Sequence, residues 1–280
     1  MIEQNQEFGS VWTENKLDAV EDYLKSYTTI MKNQRWARLF YLDAFAGNGH
    51  VVLKDGRITD GSAIRALKYP FDKFFFFDSN KQHLDTLKAK VSREHPEKSE
   101  IVFYANQDSN DSLMTIDSVD WRKMGWRGVV FLDPFAMQLN WDSLNRIAKT
   151  EILDVWYFFP LGALNRMLVK TGIIDESWQR KLTSFLGTNE WMSHIYRESQ
   201  QQVLFGDTDK EKLSIEGLRT YVISRLQTIF PTVSEEAVIL RNSNNAPLFL
   251  LCFMGSNPSK AAHEVSLQVA NHLLLRLKGV

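Results

Sequence analysis

Five short apolar runs, spaced by helical patterns, constrain this chain more than any other feature. They read ARLFYLDAF (37–45), KFFFFD (73–78), IVFYANQD (101–108), RGVVFLDPF (127–135) and ILDVWYFFP (152–160). Each has the length and the aromatic and β-branched content of one strand. Near-continuous apolarity, rather than strict alternation, is the mark of strands covered on both faces. The segments between them, GSAIRALK (61–68), HLDTLKAKVSREH (83–95) and WDSLNRIAK (141–149), carry helical patterns, and Ser62 is expected to help start the first. A helix is also expected over 15–32, where Leu17, Val20, Leu24, Tyr27 and Met31 recur at helical spacing. Strands alternating with helices predict a mostly parallel sheet with helices on both faces, an α/β, Rossmann-like architecture.

Beyond Pro160 the pattern changes. ALNRML, SWQRKLTSFL, EWMSHIYRES and EGLRTYVISRLQTIF are mostly helical, so 161–232 is expected to be a helical insertion within a single domain. EEAVILR and PLFLLCFMGS then flank the turn-rich NSNNAP, which predicts a closing hairpin. A last helix is expected over AAHEVSLQVANHLLLRLK (261–278). The total is a sheet of seven strands.

Four of the apolar runs end in an acid: Asp43, Asp78, Asp108 and Asp133. In open α/β sheets ligands bind outside the carboxyl ends of the strands, where these acids would stand together. DAFAGNG (43–49) places Phe45, Gly47 and Gly49 directly after a buried strand, where glycines let the chain turn sharply and approach a ligand. GxG is only part of the dinucleotide pattern GxGxxG, since position 52 is Val, and the phosphate-cradling GxxxxGK[ST] is absent. Asp78 suits either the ribose hydroxyls of an adenosine-containing cofactor or the start of a helix, a role open also to Ser79 and Asn80. Asp108 and Asn110 suit either an adenine amino group or a turn. Asp133-Pro134-Phe135 suits either a reacting centre, where the acid and its carbonyl accept hydrogen bonds from a target amine and the aromatic stacks on a flat acceptor, or a structural Asp-Pro turn that ends the strand.

Composition removes several alternatives. The chain has 280 residues and a formal net charge of −1, so it has no overall attraction for nucleic acid. Its one cysteine, Cys252, excludes an internal disulfide and lies in an apolar run. The six histidines form no ligand-spaced group, so no metal site is expected. GxSxG is absent, which disfavours a serine hydrolase of that kind. MIEQNQEFGS does not resemble a signal peptide, and no apolar run reaches the roughly 20 residues that span a bilayer. A cytoplasmic location without membrane attachment is the expectation. Eight Trp serve packing, interfaces or base stacking equally well.

Taken in order, YLDAFAGNG, DGSAIRAL, FDKFFFFD, QDSND, RGVVFLDPFAMQLNW and ILDVWYFFPLGALNRML resemble the three-Cys-motif partner protein family, TcmP. The resemblance covers roughly residues 10–170. It implies a class I methyltransferase fold and S-adenosylmethionine (SAM) as cofactor. It also implies that Asp43, Gly47 and Gly49 line the cofactor, that Asp78 meets its ribose, and that Asp108 and Asn110 match the family's Asp-x-Asn step. Trp12 and Lys16 match a family segment before the first strand and are expected to close over the cofactor. The chain has Asn48 where the family usually has Pro, and Gln107 where it has Gly. Amino-methyltransferases of nucleic acids typically read DPPY where this chain has Asp133-Pro134-Phe135.

Three functions remain open on these residues. The first is methyl transfer from SAM to an amino nitrogen of a nucleobase in DNA or RNA. The second is a SAM-fold protein that chiefly binds a partner, such as a three-Cys-motif protein, and catalyses little. The third is a methyltransferase for a small molecule or a protein.

Overall fold

The computed structural model describes residues 11–53, 55–169, 172–198 and 210–279. The chain runs through α1 (Val11–Met31), β1 (Arg38–Asp43), β2 (His50–Val52), β3 (Ile58–Asp60), α2 (Ser62–Ala66), β4 (Lys73–Phe77) and α3 (Lys81–Glu94). It continues through β5 (Val102–Ala105), α4 (Ser109–Leu113), β6 (Trp126–Leu132), α5 (Trp141–Lys149), β7 (Leu153–Phe159) and α6 (Leu161–Met167). Then follow α7 (Glu176–Leu186), α8 (Trp191–Ile195), β8 (Tyr196–Glu198), β9 (Lys210–Lys212), α9 (Ile215–Gln227), β10 (Thr232–Val233), β11 (Val238–Arg241), β12 (Pro247–Gly255) and α10 (Lys260–Lys278).

The main sheet has the order β10-β12-β7-β6-β1-β4-β5, with β11 also paired to β12. β7, β6, β1, β4 and β5 are parallel, and β12 runs antiparallel beside β7. β10 and β11 pair with different stretches of β12, at Met254–Gly255 and Pro247–Leu251, and together form one interrupted edge position. Counted that way the sheet has seven positions. The order places the third, second, first, fourth, fifth, seventh and sixth strands side by side, which is the class I methyltransferase arrangement expected from the motifs.

Burial follows position in the sheet. In β1, β6 and β7 almost every residue is buried, as strands covered on both faces require, whereas β4 alternates buried with half-buried residues near the edge. Successive side chains pass to opposite faces and build two cores. Phe40, Leu42, Val130, Leu132, Val155 and Tyr157 face α5, α7 and α9. Leu39, Tyr41, Val129, Phe131, Trp156 and Phe158 face α1, α2, α3 and α10. Helix α1 is held over the second face by polar contacts as well. Tyr23 donates to the half-buried Asp154 at 2.7 Å, and the buried Arg65 of α2 reaches Asp18 at 2.5 Å and Glu21 at 2.9 Å.

The structure differs from the expectations in three places. The small hairpin β2–β3 lies between the glycine turn and α2; its signal is Asp55-Gly56, a turn pair between Val51, Val52 and Ile58. Ser62 does not cap α2, whose cap position is Gly61, because its hydroxyl donates to Asp43 instead. Finally, the described residues of 161–232 include the helices α6, α7, α8 and α9, but the helical pattern of EWMSHIYRES stops at Ile195. Tyr196–Glu198 pair with Lys210–Lys212 in a two-stranded ribbon, and backbone pairing overrides the local helical preference. Among the described residues no helix is long and apolar enough to cross a membrane.

Candidate cofactor and acceptor site

Parallel pairing brings the acids of the strand exits to one edge of the sheet. Asp43 is level with Phe76 on β4 and with Phe131 on β6, so Asp78 and Asp133 each stand two residues beyond its neighbours. Adjacent strands lie about 4.8 Å apart, which puts these carboxylates within mutual electrostatic reach.

Asp43 is fully buried. Its Oδ1 accepts the N–H of Phe45 at 3.1 Å, and its Oδ2 accepts the Ser62 hydroxyl at 2.5 Å. Burial pushes its carboxyl up to about 7; the bonds from Ser62 and Phe45 oppose the rise, and nearby Asp133 and Asp78 add to it. Sequence reasoning missed Ser62 in this role. Its position at a helix start was visible, but its partner depends on the closure of the α2 segment against β1.

The glycine turn is shaped by its two positive backbone angles, φ 61° at Gly47 and 81° at Gly49. They do different things. A Cβ on Gly49 would stand 2.7 Å from Leu87 Cδ1 and 3.1 Å from Ile64 Cγ1, so Gly49 lets the turn pack onto α2 and α3. A Cβ on Gly47 would meet nothing within 4 Å, so Gly47 presents bare backbone to open space at the sheet edge. Half-buried Phe45 lies between them and Asp43, and Ala46 N–H donates to Phe77 carbonyl, tying the turn to the end of β4.

Asp78 does not cap α3. Asn80 does, accepting from Gln82 N–H at 2.9 Å. Asp78 accepts the N–H of Gly47 at 2.9 Å through Oδ2 and that of Asn80 at 2.7 Å through Oδ1, with His83 Nδ1 3.5 Å from Oδ1. Asp108 is the cap of α4, accepting from Asn110 N–H at 2.8 Å, and it is exposed. The Asn110 side chain is engaged within the protein. Its amide donates to Asp108 Oδ1 and to Gln138 carbonyl, both at 2.9 Å. Its oxygen accepts from Asn140 N–H at 2.8 Å and from Ser143 Oγ at 2.9 Å. The geometry makes Asn110 a brace between α4 and the chain entering α5.

Asp133 follows β6 directly. Its Oδ2 accepts the ammonium of Lys16 from α1 at 2.5 Å, and that nitrogen also lies 4.6 Å from the ring centre of Phe158 and 5.8 Å from that of Phe249. Lys16 is only 7% exposed. Pro134 is buried and Phe135 is 54% exposed. Ala136 adopts φ 55°, a left-handed conformation uncommon for alanine, and Gln138 Oε1 accepts the N–H of Phe135 at 2.9 Å. The loop after the candidate Asp133-Pro134-Phe135 is thus bent sharply and pinned by Gln138. The Trp12 side chain lies outside the described residues.

No protein-family model matches the chain, and neither does any curated protein. The resemblance to three-Cys-motif partner proteins therefore rests on its motifs. Among solved structures, protein LPL1258 from Legionella pneumophila str. Philadelphia 1, of family DUF519, aligns with 91% of this chain and 92% of its own at 11% identity and a TM-score of 0.48. The methyltransferase domain of bacterial CtHen1-C covers 84% of this chain and 98% of its own at 11% identity and a TM-score of 0.39. The N-terminal domain of EvdMO1, solved in the presence of SAH and D-fucose, covers 84% and 82% at 11% identity and a TM-score of 0.39. Likeness at this level adds nothing to the strand order, on which the fold rests.

Proposed function

We propose that this chain is a SAM-dependent methyltransferase that transfers a methyl group to an amino nitrogen of a nucleobase in DNA or RNA. The observation that carries the reading is the edge formed by Asp43, Gly47, Asp78 and Asp133 at adjacent parallel strand exits. The accessible carboxylates of Asp78 and Asp108 favour a ligand with cationic centres, as SAM has in its sulfonium and ammonium groups. They disfavour the pyrophosphate of a dinucleotide. Gly47 offers open space at its Cα, and Asp78 stands beside it as an acceptor for ribose hydroxyls. Phe45 and Gly49 complete the turn, Asp108 is exposed for an adenine amino group, and Asn110 holds the α4 segment in place.

On the acceptor side, the Asp133 carboxylate and the carbonyl preceding Pro134 accept hydrogen bonds from the target amine and aim its lone pair. Phe135, more than half exposed, supports stacking on a flat base. SAM supplies an activated methyl group with a good leaving group, so the protein's contribution is orientation and exclusion of water. Lys16 competes with the amine for Asp133 and lies over Phe158, where α1 covers the site.

The test is transfer of tritiated methyl from SAM to separate pools of DNA, RNA and protein, with Asp133→Asn as control. Label in a nucleic-acid pool that is lost in the variant supports the reading. Label in the protein pool alone, or equal label with the variant, overturns the nucleobase assignment.

A further inference from the structure

Among the described residues, Lys16 is surrounded by the groups that recognise an alkylammonium ion. A carboxylate oxygen lies 2.5 Å from the nitrogen, one aromatic ring centre lies at 4.6 Å and a second at 5.8 Å. A carboxylate with ring faces binds primary and methylated ammonium groups alike, since the ring attraction requires only a cation and survives methylation. The side chain is 7% exposed, so the amine is held inside the protein. The carboxylate that holds it is Asp133, the group expected to hold the acceptor amine.

The geometry points to Lys16 as a self-methylation site of this protein. The inference rests on the methyltransferase reading above. Asp133 takes the proton from the ammonium, and the neutral Nζ then attacks the sulfonium methyl carbon of SAM. An N–C bond forms as the C–S bond breaks with its electron pair going to sulfur. S-adenosylhomocysteine leaves, and the methylated amine stays between Asp133, Phe158 and Phe249. The reaction is intramolecular, because α1 and β6 belong to one chain and the contact is already made.

Two measurements on the full chain test this. In the first, protein as isolated and protein incubated with SAM are digested, and the peptide containing Lys16 is weighed. Expected is an added methyl group on Lys16, formed at a rate independent of protein concentration, and absent from Asp133→Asn although that variant still gains thermal stability with SAM. A SAM-dependent thermal shift with Lys16 unmodified in both preparations overturns self-methylation while leaving the methyltransferase reading standing. Absence of any SAM shift sinks both. The second measurement needs no SAM. Methylammonium is added to Lys16→Ala, in which the carboxylate and rings have lost their cation. A rise in melting temperature that is missing from the double variant with Asp133→Asn supports the ammonium site. No rise in the single variant overturns it.

Discussion

Asp78 accepts the backbone N–H of Gly47 at 2.9 Å and so fastens the exit of β4 to the turn that follows β1. One oxygen fixes the shape of the glycine turn while the carboxylate remains only half-buried beside open backbone. The same side chain thus shapes the turn and, on the proposed reading, also meets the ligand.

Two substitutions separate these roles. Asp78→Asn keeps an oxygen for Gly47 but removes the charge, and Asp78→Ala removes both. Titration of SAM by calorimetry is expected to show about a 10- to 100-fold loss of affinity for Asp78→Asn, the range that follows from losing charged hydrogen bonds of about 1.5–3 kcal/mol. Asp78→Ala is expected to lose at least as much and also melt earlier. Unchanged affinity in Asp78→Asn removes Asp78 from the cofactor site.

The two glycines give a second, sharper contrast. Gly49→Ala places a methyl group 2.7 Å from Leu87 Cδ1 at a positive φ, and about 2–4 kcal/mol of stability is expected to be lost. Gly47→Ala has the positive φ but open space, so about 1–2 kcal/mol is expected. On the proposed reading, its methyl group would instead stand where the cofactor approaches the backbone. Chemical denaturation gives the stabilities and a SAM thermal shift gives the binding. The reading requires Gly47→Ala to lose the shift while remaining folded; a full shift in that variant would place the cofactor elsewhere.

The sheet was legible because burial on both faces leaves a one-dimensional trace, an apolar run ending in an acid. Strand–helix alternation implied that those acids stand at one edge of a parallel sheet; their order along it came only from the strand pairing. What could not be read were relationships made only by closure of the fold. Lys16 and Asp133 lie 117 positions apart, and nothing local to either points to the other. Ser62 carries equally good local reasons to cap a helix, and only its approach to Asp43 decides between them. Tyr196–Glu198 carry a helical pattern that yields to pairing with Lys210–Lys212.

Asp108 and Asn110 look alike in the sequence, and the structure separates them. Asn110→Ala leaves Asn140 N–H and the buried Ser143 hydroxyl without their acceptor, and about 2–4 kcal/mol of stability is expected to be lost. Asp108→Ala removes an exposed cap, for which about 1 kcal/mol is expected. SAM affinity measured well below each variant's melting temperature is expected to fall more for Asp108→Ala. The reverse order would make Asp108 a cap alone.

Burial of Asp43 and Asp154 sets the direction of the pH dependence of stability. Their carboxyls are raised to about 7 and about 6, in both cases chiefly by burial. The unfolded chain releases these protons near the ordinary value of about 4, whereas the folded chain keeps them. Between those limits the native state therefore binds more protons than the unfolded state, so stability falls as pH rises from about 4 through the folded values, and this contribution is flat above them. Asp43→Asn keeps an oxygen for Phe45 and a partner for Ser62 without a charge to bury. Its melting temperature is expected to fall less between pH 5 and pH 7.5 than that of the unaltered protein, with Asp154 left as the remaining contributor. Equal slopes for the two proteins would mean that Asp43 is ionised throughout this range, with its charge stabilised by the Ser62 and Phe45 hydrogen bonds.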